Sequence, residues 1–386
     1  MRTSFTSIMP LVLITMAALS APARAGSEGA VYAMTNDDVA NAIVVYDRDA
    51  DGSLRLRGHV ATGGRGVGAT TEPLDALGSQ APLVLSADGR FLLAVNAGSN
   101  EISVFRIRGG NDPLVLVDKV RSRGLHPASI AVHDQLVYIL NSGGEGNITG
   151  FFLTTAGRLL PLPGSTRSLD VGGSNPPLFI DSPAQIGIDP TGHVIVVTIK
   201  GSDELRSYPL DYLGLPGAEP VITPSHGSTP FGFGFDRNGY LLVAEPFGNA
   251  SPGVAHSSAV SSYRVHTDGM LELVSGSVEN GQTASCWLVT DGVYAYTTNN
   301  ATDNLSSYQT DDDGRLSLLG VGGEAAVASH APVDVALTPD GQFLYNVNAG
   351  TGTITAFRVE DDGTLTSIGS VGGLPEDAGA VGIAAR

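Results

Sequence analysis

The chain repeats one pattern of apolar and polar positions along almost its whole length. A proline precedes a short alternating apolar run, a polar-glycine turn follows, and a second apolar run ends in asparagine or a similar polar residue. A third run, a second glycine turn and a short fourth run complete the unit. The clearest copies begin at Pro82 and Pro332. Alternation between turns that tolerate positive φ predicts four antiparallel strands per unit.

Six units are complete, and the two chain ends supply a seventh. The other copies begin at Pro127, Pro183, Pro230 and Ala284, a spacing of about 50 residues that is typical of a propeller blade. The N-terminal unit (31–59) has no first strand, whereas 381–385 resembles a first strand alone. Joining them predicts an all-β, seven-bladed β-propeller of four-stranded antiparallel blades, closed by a composite N-/C-terminal blade.

The first 25 residues have the composition of a secretion signal. Arg2 precedes an apolar run over 8–19, and Ala23-Arg24-Ala25 fits a small-x-small cleavage site. The apolar run is shorter than the roughly 20 residues that a membrane-spanning helix needs. We therefore expect a signal peptide over 1–25, a propeller over 26–386, no membrane span, and a secreted or periplasmic location.

Charge and cysteine content restrict the possible partners. The chain has 21 Lys and Arg against 39 Asp and Glu, a formal net charge of −18, which disfavours binding to nucleic acid. Cys286 is the only cysteine, so an intrachain disulfide and a cysteine metal cage are excluded. We expect a monomer that holds no metal or cofactor and binds a small molecule at the channel mouth.

Candidate functional residues lie where first strands begin and second strands end, because both places surround one mouth of the central channel. The second strands end at Asn36, Asn96, Asn141, Lys200, Glu245, Asn299 and Asn348. The asparagines suit strand caps, whereas Lys200 and Glu245 suit either a structural ion pair or a catalytic pair.

First-strand starts and nearby connections add further candidates. The predicted substrate-binding residues are Gln185, Phe231, Trp287, Asn141, Asn299, His330 and Asp334. Three long connections, 62–80, 162–182 and 247–260, are expected to line the mouth, either as specificity loops or as tolerated insertions.

The units resemble the lactonase family of seven-bladed propellers, which includes bacterial 6-phosphogluconolactonase and fungal carboxymuconate cyclases. The resemblance rests on segments 331–357 and 229–236, and on 281–287, which looks like exported bacterial members. Glu245 matches the glutamate of the family's Asn-Glu pair. The family's Arg-His positions here read Leu83-Val84, Ala184-Gln185, Phe231-Gly232 and Val333-Asp334.

Two functions follow from these observations. The resemblance implies a lactonase-type carboxylic ester hydrolase, in which Glu245 acts as general base on water and Lys200 or His126 stabilises the oxyanion. The missing Arg-His pairs favour the alternative, a non-catalytic propeller that binds a small molecule or a protein partner.

Overall fold

The strands form seven antiparallel sheets that are arranged as the blades of a ring. The computed structural model describes residues 28–69, 75–108 and 113–386, so the predicted signal peptide lies outside the described residues. Blade 1 contains β1 (Gly29–Met34), β2 (Ala42–Arg48), β3 (Leu54–Ala61) and β30 (Val381–Ala385). Blade 2 contains β4 (Leu83–Leu85), β5 (Phe91–Asn96), β6 (Glu101–Ile107) and β7 (Leu114–Arg121), with a 3₁₀-helix (Ala97–Ser99) after β5.

The next three blades follow in chain order. Blade 3 contains β8 (Pro127–His133), β9 (Leu136–Asn141), β10 (Asn147–Leu153), and an outer strand divided into β11 (Leu159–Pro161) and β12 (Arg167–Ser168). Blade 4 contains β13 (Pro183–Ile188), β14 (Val194–Ile199), β15 (Glu204–Pro209) and β16 (Val221–Pro224). Blade 5 contains β17 (Phe233–Phe235), β18 (Leu241–Glu245), β19 (Ala259–Val265) and β20 (Leu271–Glu279).

The last two blades complete the ring. Blade 6 contains β21 (Ser285–Thr290), β22 (Tyr294–Asn299), β23 (Asn304–Thr310), and a divided outer strand, β24 (Leu316–Leu318) and β25 (Ala326–Val327). Blade 7 contains β26 (Pro332–Leu337), β27 (Phe343–Asn348), β28 (Thr353–Val359) and β29 (Leu365–Gly372). In the described ranges, no helix is long and apolar enough to span a bilayer.

The composite blade closes the ring as the sequence predicts. Strand β30 pairs antiparallel with β1, with Val31 opposite Ala385 and Ala33 opposite Ile383. Each innermost strand contacts the innermost strand of the next blade, and β26 contacts β30. The predicted seven-bladed architecture and its composite closure are therefore confirmed.

Packing between blades explains why the turns after the third strands carry glycine. Gly363 in blade 7 has φ +80° and lies against the Tyr294 ring of blade 6, where a Cβ would overlap the ring. Gly157 in blade 3 meets Phe91 of blade 2 in the same way. Glycine is required at these turns both for positive φ and for the close approach to an aromatic ring.

Candidate functional site

Two of the asparagines that end second strands, Asn141 and Asn299, are buried cross-links within their blades. Asn299 donates through Nδ2 to Asn304 Oδ1 at 2.6 Å and to Ser306 Oγ at 2.9 Å. Asn141 Nδ2 lies 2.9 Å from Asn147 Oδ1. These amides tie the end of the second strand to the third strand, which is the capping role that their position predicts.

Gln185 and Asp334 connect neighbouring innermost strands. The Gln185 side chain donates to Phe233 O at 3.1 Å and accepts from Phe233 N at 2.7 Å, which joins blade 4 to blade 5. Asp334 Oδ2 accepts from Gly382 N at 2.7 Å, which joins blade 7 to blade 1. Burial raises the pKa of Asp334 to about 8, because a low-dielectric site disfavours the charged form.

The connection between blades 1 and 2 crosses the central channel. Ser79 Oγ donates to Ala128 O in blade 3 at 2.8 Å. The Gln80 side chain donates to Leu288 O at 2.7 Å and accepts from Leu288 N at 2.8 Å in blade 6. Trp287 Nε1 donates to Ser79 O at 3.0 Å. We call residues 75–80 the channel plug, because these bonds close the channel beneath the mouth.

Lys200 anchors the plug from blade 4. Its Nζ donates to Gly78 O at 2.6 Å and lies 4.1 Å from the centre of the Phe179 ring and 4.8 Å from that of Phe231. The side chain is buried. Burial lowers the pKa of Lys200 to about 8, while the carboxylate of Asp75 acts in the opposite direction. The ammonium therefore faces the plug and an aromatic wall.

Glu245 is held at the connection between blades 4 and 5. Its Oε1 accepts from Gly227 N at 2.8 Å, and its Oε2 accepts from Ser277 Oγ at 2.7 Å. Ser277 Oγ also lies 2.9 Å from His226 Nδ1. The carboxyl is fully buried, and burial raises its pKa against the effect of these hydrogen bonds. Its oxygens are thus engaged in holding the connection.

The two histidines among the candidates lie in different surroundings. His126 is buried, its Nε2 has no hydrogen-bond partner among the described residues, and burial lowers its pKa to about 4. His330 is exposed and lies 3.2 Å from Asp303 through Nδ1. Within the described ranges, no hydrogen bond or ion pair joins Lys200, Glu245 and His126.

A cavity of about 210 Å³ lies beside the plug, with Asp75 in its lining. We call it the mouth pocket. All three long connections contribute to its wall, as expected, together with blade 6. Its lining includes Asp75, Phe179, Thr229, Phe247, Trp287 and Asn300. Phe231 lies behind this wall, with its ring centre 5.9 Å from that of Phe179 and 5.1 Å from that of Trp287.

Thr229 supplies the mouth pocket with an uncommitted hydroxyl. Its Oγ1 is buried and makes no hydrogen bond to any residue that the structure describes. Thr229 has φ +61°, at a point before the first strand where blades 2, 6 and 7 have Ala81, Ala284 and Ala331 with similar φ. A β-branched residue is strained in this conformation. Blade 3 has His126 at this position with φ +54°, so Thr229 is the one β-branched residue among the five, and strain of this kind is a sign of function.

Two larger cavities open on the opposite face of the ring. One, of about 620 Å³, lies between the turns of blades 6 and 7. The other, of about 400 Å³, is the far end of the channel, roofed by Gln80. Their lining residues contain no buried polar atom that lacks a hydrogen bond within the described part of the chain. We therefore place the candidate site at the smaller mouth pocket.

Sequence comparison decides the family. The model of a family described as lactonase, seven-bladed β-propeller, matches residues 28–162 and 71–375. The chain belongs to this family. No curated protein matches the sequence.

Solved structures share the fold of this lactonase-family propeller at low sequence identity. A proposed 6-phosphogluconolactonase from Bacteroides fragilis is 19% identical, with TM-score 0.65, and the match covers 95% of this chain and 99% of that chain. The periplasmic gluconolactonase PpgL of Pseudomonas aeruginosa is 18% identical, with TM-score 0.66, over 92% of this chain and 98% of that chain. At this level of identity the likeness shows the fold alone.

Sequence reasoning found part of the site of this lactonase-family propeller. Of the predicted residues, Trp287 lines the mouth pocket, whereas Phe231 and Lys200 lie behind its wall. Asp75 and Thr229 were missed. Asp75 lies inside a long connection without a motif, but Thr229 had a usable signal, since it replaces alanine in the repeat.

Proposed function

We propose that this propeller is an exported lactone hydrolase that acts in the mouth pocket. Family membership supports the reaction class, and the sequence of residues 1–25 supports export. The observation that carries the proposal is one pocket that combines the Asp75 carboxyl, the uncommitted Thr229 hydroxyl and aromatic walls.

Asp75 is the proposed general base. A water molecule attacks the lactone carbonyl carbon while the Asp75 carboxylate takes its proton. The ring C–O bond of the tetrahedral intermediate then breaks, and the departing oxygen takes the proton back from Asp75, so that a hydroxy acid is released. A general base of this kind contributes roughly 10²–10⁴-fold to the rate.

Thr229 and Lys200 support this step in different ways. The Thr229 hydroxyl donates a hydrogen bond to the developing oxyanion. Lys200 does not line the pocket; it fixes the plug through Gly78 and places a positive charge near Asp75. In this mechanism Lys200 and Glu245 are positioning residues, and Glu245 holds the Gly227 turn that leads to Thr229.

The test is hydrolysis of a panel of lactones by the purified protein, followed in a pH-stat. We expect Asp75→Asn to lower kcat/KM by about 100-fold or more. Asp268→Asn, in an exposed turn where Asp268 accepts from Met270 N, is the matched control and should leave the rate unchanged. If Glu245→Gln abolishes hydrolysis and Asp75→Asn does not, the base is Glu245 and this mechanism is wrong.

Thr229→Ala separates a catalytic role from a structural one. Alanine is the residue that blades 2, 6 and 7 have at this position, and it relieves the strain of a β-branched side chain at positive φ, so the variant should be at least as stable as the parent protein. Loss of one oxyanion donor should still lower kcat by about 100-fold. An unchanged kcat would remove Thr229 from the mechanism.

The second candidate function is binding without turnover. It is favoured by the absence of arginine at Leu83-Val84 and the other positions that match the family's Arg-His pairs. A saturable ligand together with no hydrolysis across the panel would support it.

A further inference from the structure

The candidate site has a second compartment. A cavity of about 200 Å³ lies beside the mouth pocket, and its lining includes Asp75, Ala76, Leu77, Pro176, Leu178 and Phe179. Asp75 and Phe179 also line the mouth pocket, so these two side chains separate the compartments. Each cavity is smaller than the roughly 300–1,000 Å³ of typical ligand sites, whereas the two together reach that range.

The walls of both compartments are apolar or uncharged apart from Asp75. The mouth pocket is largely aromatic, with Phe179, Phe247 and Trp287, and the second compartment is built from proline and aliphatic side chains. Among the residues that the structure describes, neither lining contains lysine, arginine or histidine. Lys200 is covered by the Phe179 and Phe231 rings and donates to Gly78 O, so it is occupied within the wall.

This composition selects against anionic ligands. A phosphate or carboxylate on the ligand would approach the Asp75 carboxylate without a lysine, arginine or histidine among the described residues of either lining. The net charge of −18 adds to the repulsion. A polyhydroxylated sugar ring would also leave several hydroxyl groups against apolar walls without hydrogen bonds, which is costly.

We propose that the site takes a neutral lactone with an apolar alkyl or aryl substituent, rather than a phosphorylated or polyhydroxylated sugar lactone. The lactone ring occupies the mouth pocket beside Asp75 and Thr229, and the substituent passes Phe179 into the second compartment. This inference rests on the proposed function for the reaction, and on the two compartments for the substrate class.

Trp287 provides a binding signal that is independent of turnover. It is the only tryptophan in the sequence and it lines the mouth pocket, so fluorescence excited at the tryptophan band reports occupancy there. The probes are δ-lactams, which resist hydrolysis: δ-valerolactam and its 6-propyl and 6-pentyl derivatives, compared with 6-phosphogluconate. We expect affinity to rise about fourfold per added methylene and 6-phosphogluconate to bind more weakly than every lactam.

A matched pair of variants locates the substituent. Leu178 lines the second compartment, whereas Ile180, two residues further along the same connection, does not. Leu178→Asn should reduce, at least twofold, the increase in affinity that each added methylene gives. It should leave the affinity for δ-valerolactam unchanged. Ile180→Asn should change neither. Equal effects of the two substitutions, or none from Leu178→Asn, would overturn the assignment of the second compartment.

The outcomes separate this inference from the proposed function. If the affinity for lactams rises with chain length but no lactone is hydrolysed, the site binds apolar-substituted ligands as inferred, and the proposed hydrolase activity is wrong. Hydrolysis of glucono-δ-lactone, with affinity for lactams independent of chain length, would retain the hydrolase and overturn the inference. Tighter binding of 6-phosphogluconate than of 6-pentyl-δ-valerolactam would also overturn it.

Discussion

Lys200 and Glu245 stand at equivalent places in neighbouring blades, and they serve different parts of the ring. Glu245 is the last residue of β18 and Lys200 directly follows β14, and both are buried. Lys200 contacts the plug through Gly78, whereas Glu245 contacts the connection between blades 4 and 5 through Gly227. Opposite charges in matching positions therefore do not form a pair, because each side chain is held by the connection that covers its own strand end.

The charged forms of the two side chains are also stabilised against burial in different ways. Burial drives the pKa of Lys200 downwards and that of Glu245 upwards, so both shift towards the neutral form. Asp75 opposes the shift of the Lys200 pKa by electrostatic attraction, whereas hydrogen-bond donors such as Ser277 oppose the shift of the Glu245 pKa. The comparison indicates that charge adds to the hydrogen bonds that hold the plug, whereas hydrogen bonds hold the outer connection.

The largest expected effect is the pH dependence of stability. Lys200 has a folded pKa of about 8 against an ordinary value of 10.5. Between these values the unfolded chain binds more protons, so the free energy of unfolding contributed by Lys200 rises with pH, by at most about 1.4 kcal/mol per pH unit. Glu245 has the opposite sign: its contribution falls as pH rises from 4.5 towards its raised pKa.

Urea unfolding of the parent protein and Lys200→Met between pH 7.5 and 10.5 checks this prediction. The difference between the two curves isolates Lys200, because other titrating groups are common to both proteins. We expect the parent protein to gain stability relative to the variant over this window. If the two plots of unfolding free energy against pH run parallel, the Lys200 pKa is the same in the folded and unfolded protein, and burial does not disfavour its charged form.

A double-mutant cycle tests whether charge holds the plug. Lys200→Met removes the hydrogen bond to Gly78 O and the charge that faces Asp75. At pH 7 it should cost about 2 kcal/mol, since relief of the buried ammonium offsets part of the loss. Adding Asp75→Asn should recover part of that cost. The control is Lys119→Met, which breaks a more exposed pair with Glu101 and should cost less than about 1 kcal/mol.

Additive costs in this cycle would contradict the comparison. They would mean that Lys200 and Asp75 do not interact, and that hydrogen bonds alone hold the plug, from Lys200 to Gly78 O and from Ser79 and Gln80 to blades 3 and 6.

The ring was predictable from sequence because its signals are local and repeated. Glycine turns and alternating runs specify strands wherever they occur, and seven copies at one period leave few alternatives. The composite blade followed from two incomplete units. The residue before the first strand has positive φ in five of the seven blades, and it is alanine in three of them, Ala81, Ala284 and Ala331.

The site was less predictable because its contacts join segments that are distant in sequence. Gln80 bonds Leu288, and Lys200 bonds Gly78, yet no spacing or motif connects these residues. Strand position predicts that Lys200 and Glu245 lie at one face of the ring, because both stand where a second strand ends. It did not specify the radial direction of each side chain, which depends on the connection packed over the strand end.

The smallest expected effects on stability come from substitutions at Glu245 and at its hydrogen-bond donor Ser277. Glu245→Gln replaces an acceptor oxygen by a donor that faces Gly227 N or Ser277 Oγ, which should cost about 1–2 kcal/mol in urea unfolding. Ser277→Ala removes one donor and should cost about 1 kcal/mol. The double variant should cost less than the sum, because the two residues share a hydrogen bond.

Activity distinguishes positioning from catalysis on this side of the ring. Because Glu245 lies outside the mouth pocket lining and acts through the turn before Thr229, both single variants should retain kcat within about tenfold, with the loss following the loss of stability. If Glu245→Gln were fully stable and inactive, Glu245 would be the base that the family resemblance implies. The two charged strand ends would then differ in catalytic role, and not only in the connection that each of them holds.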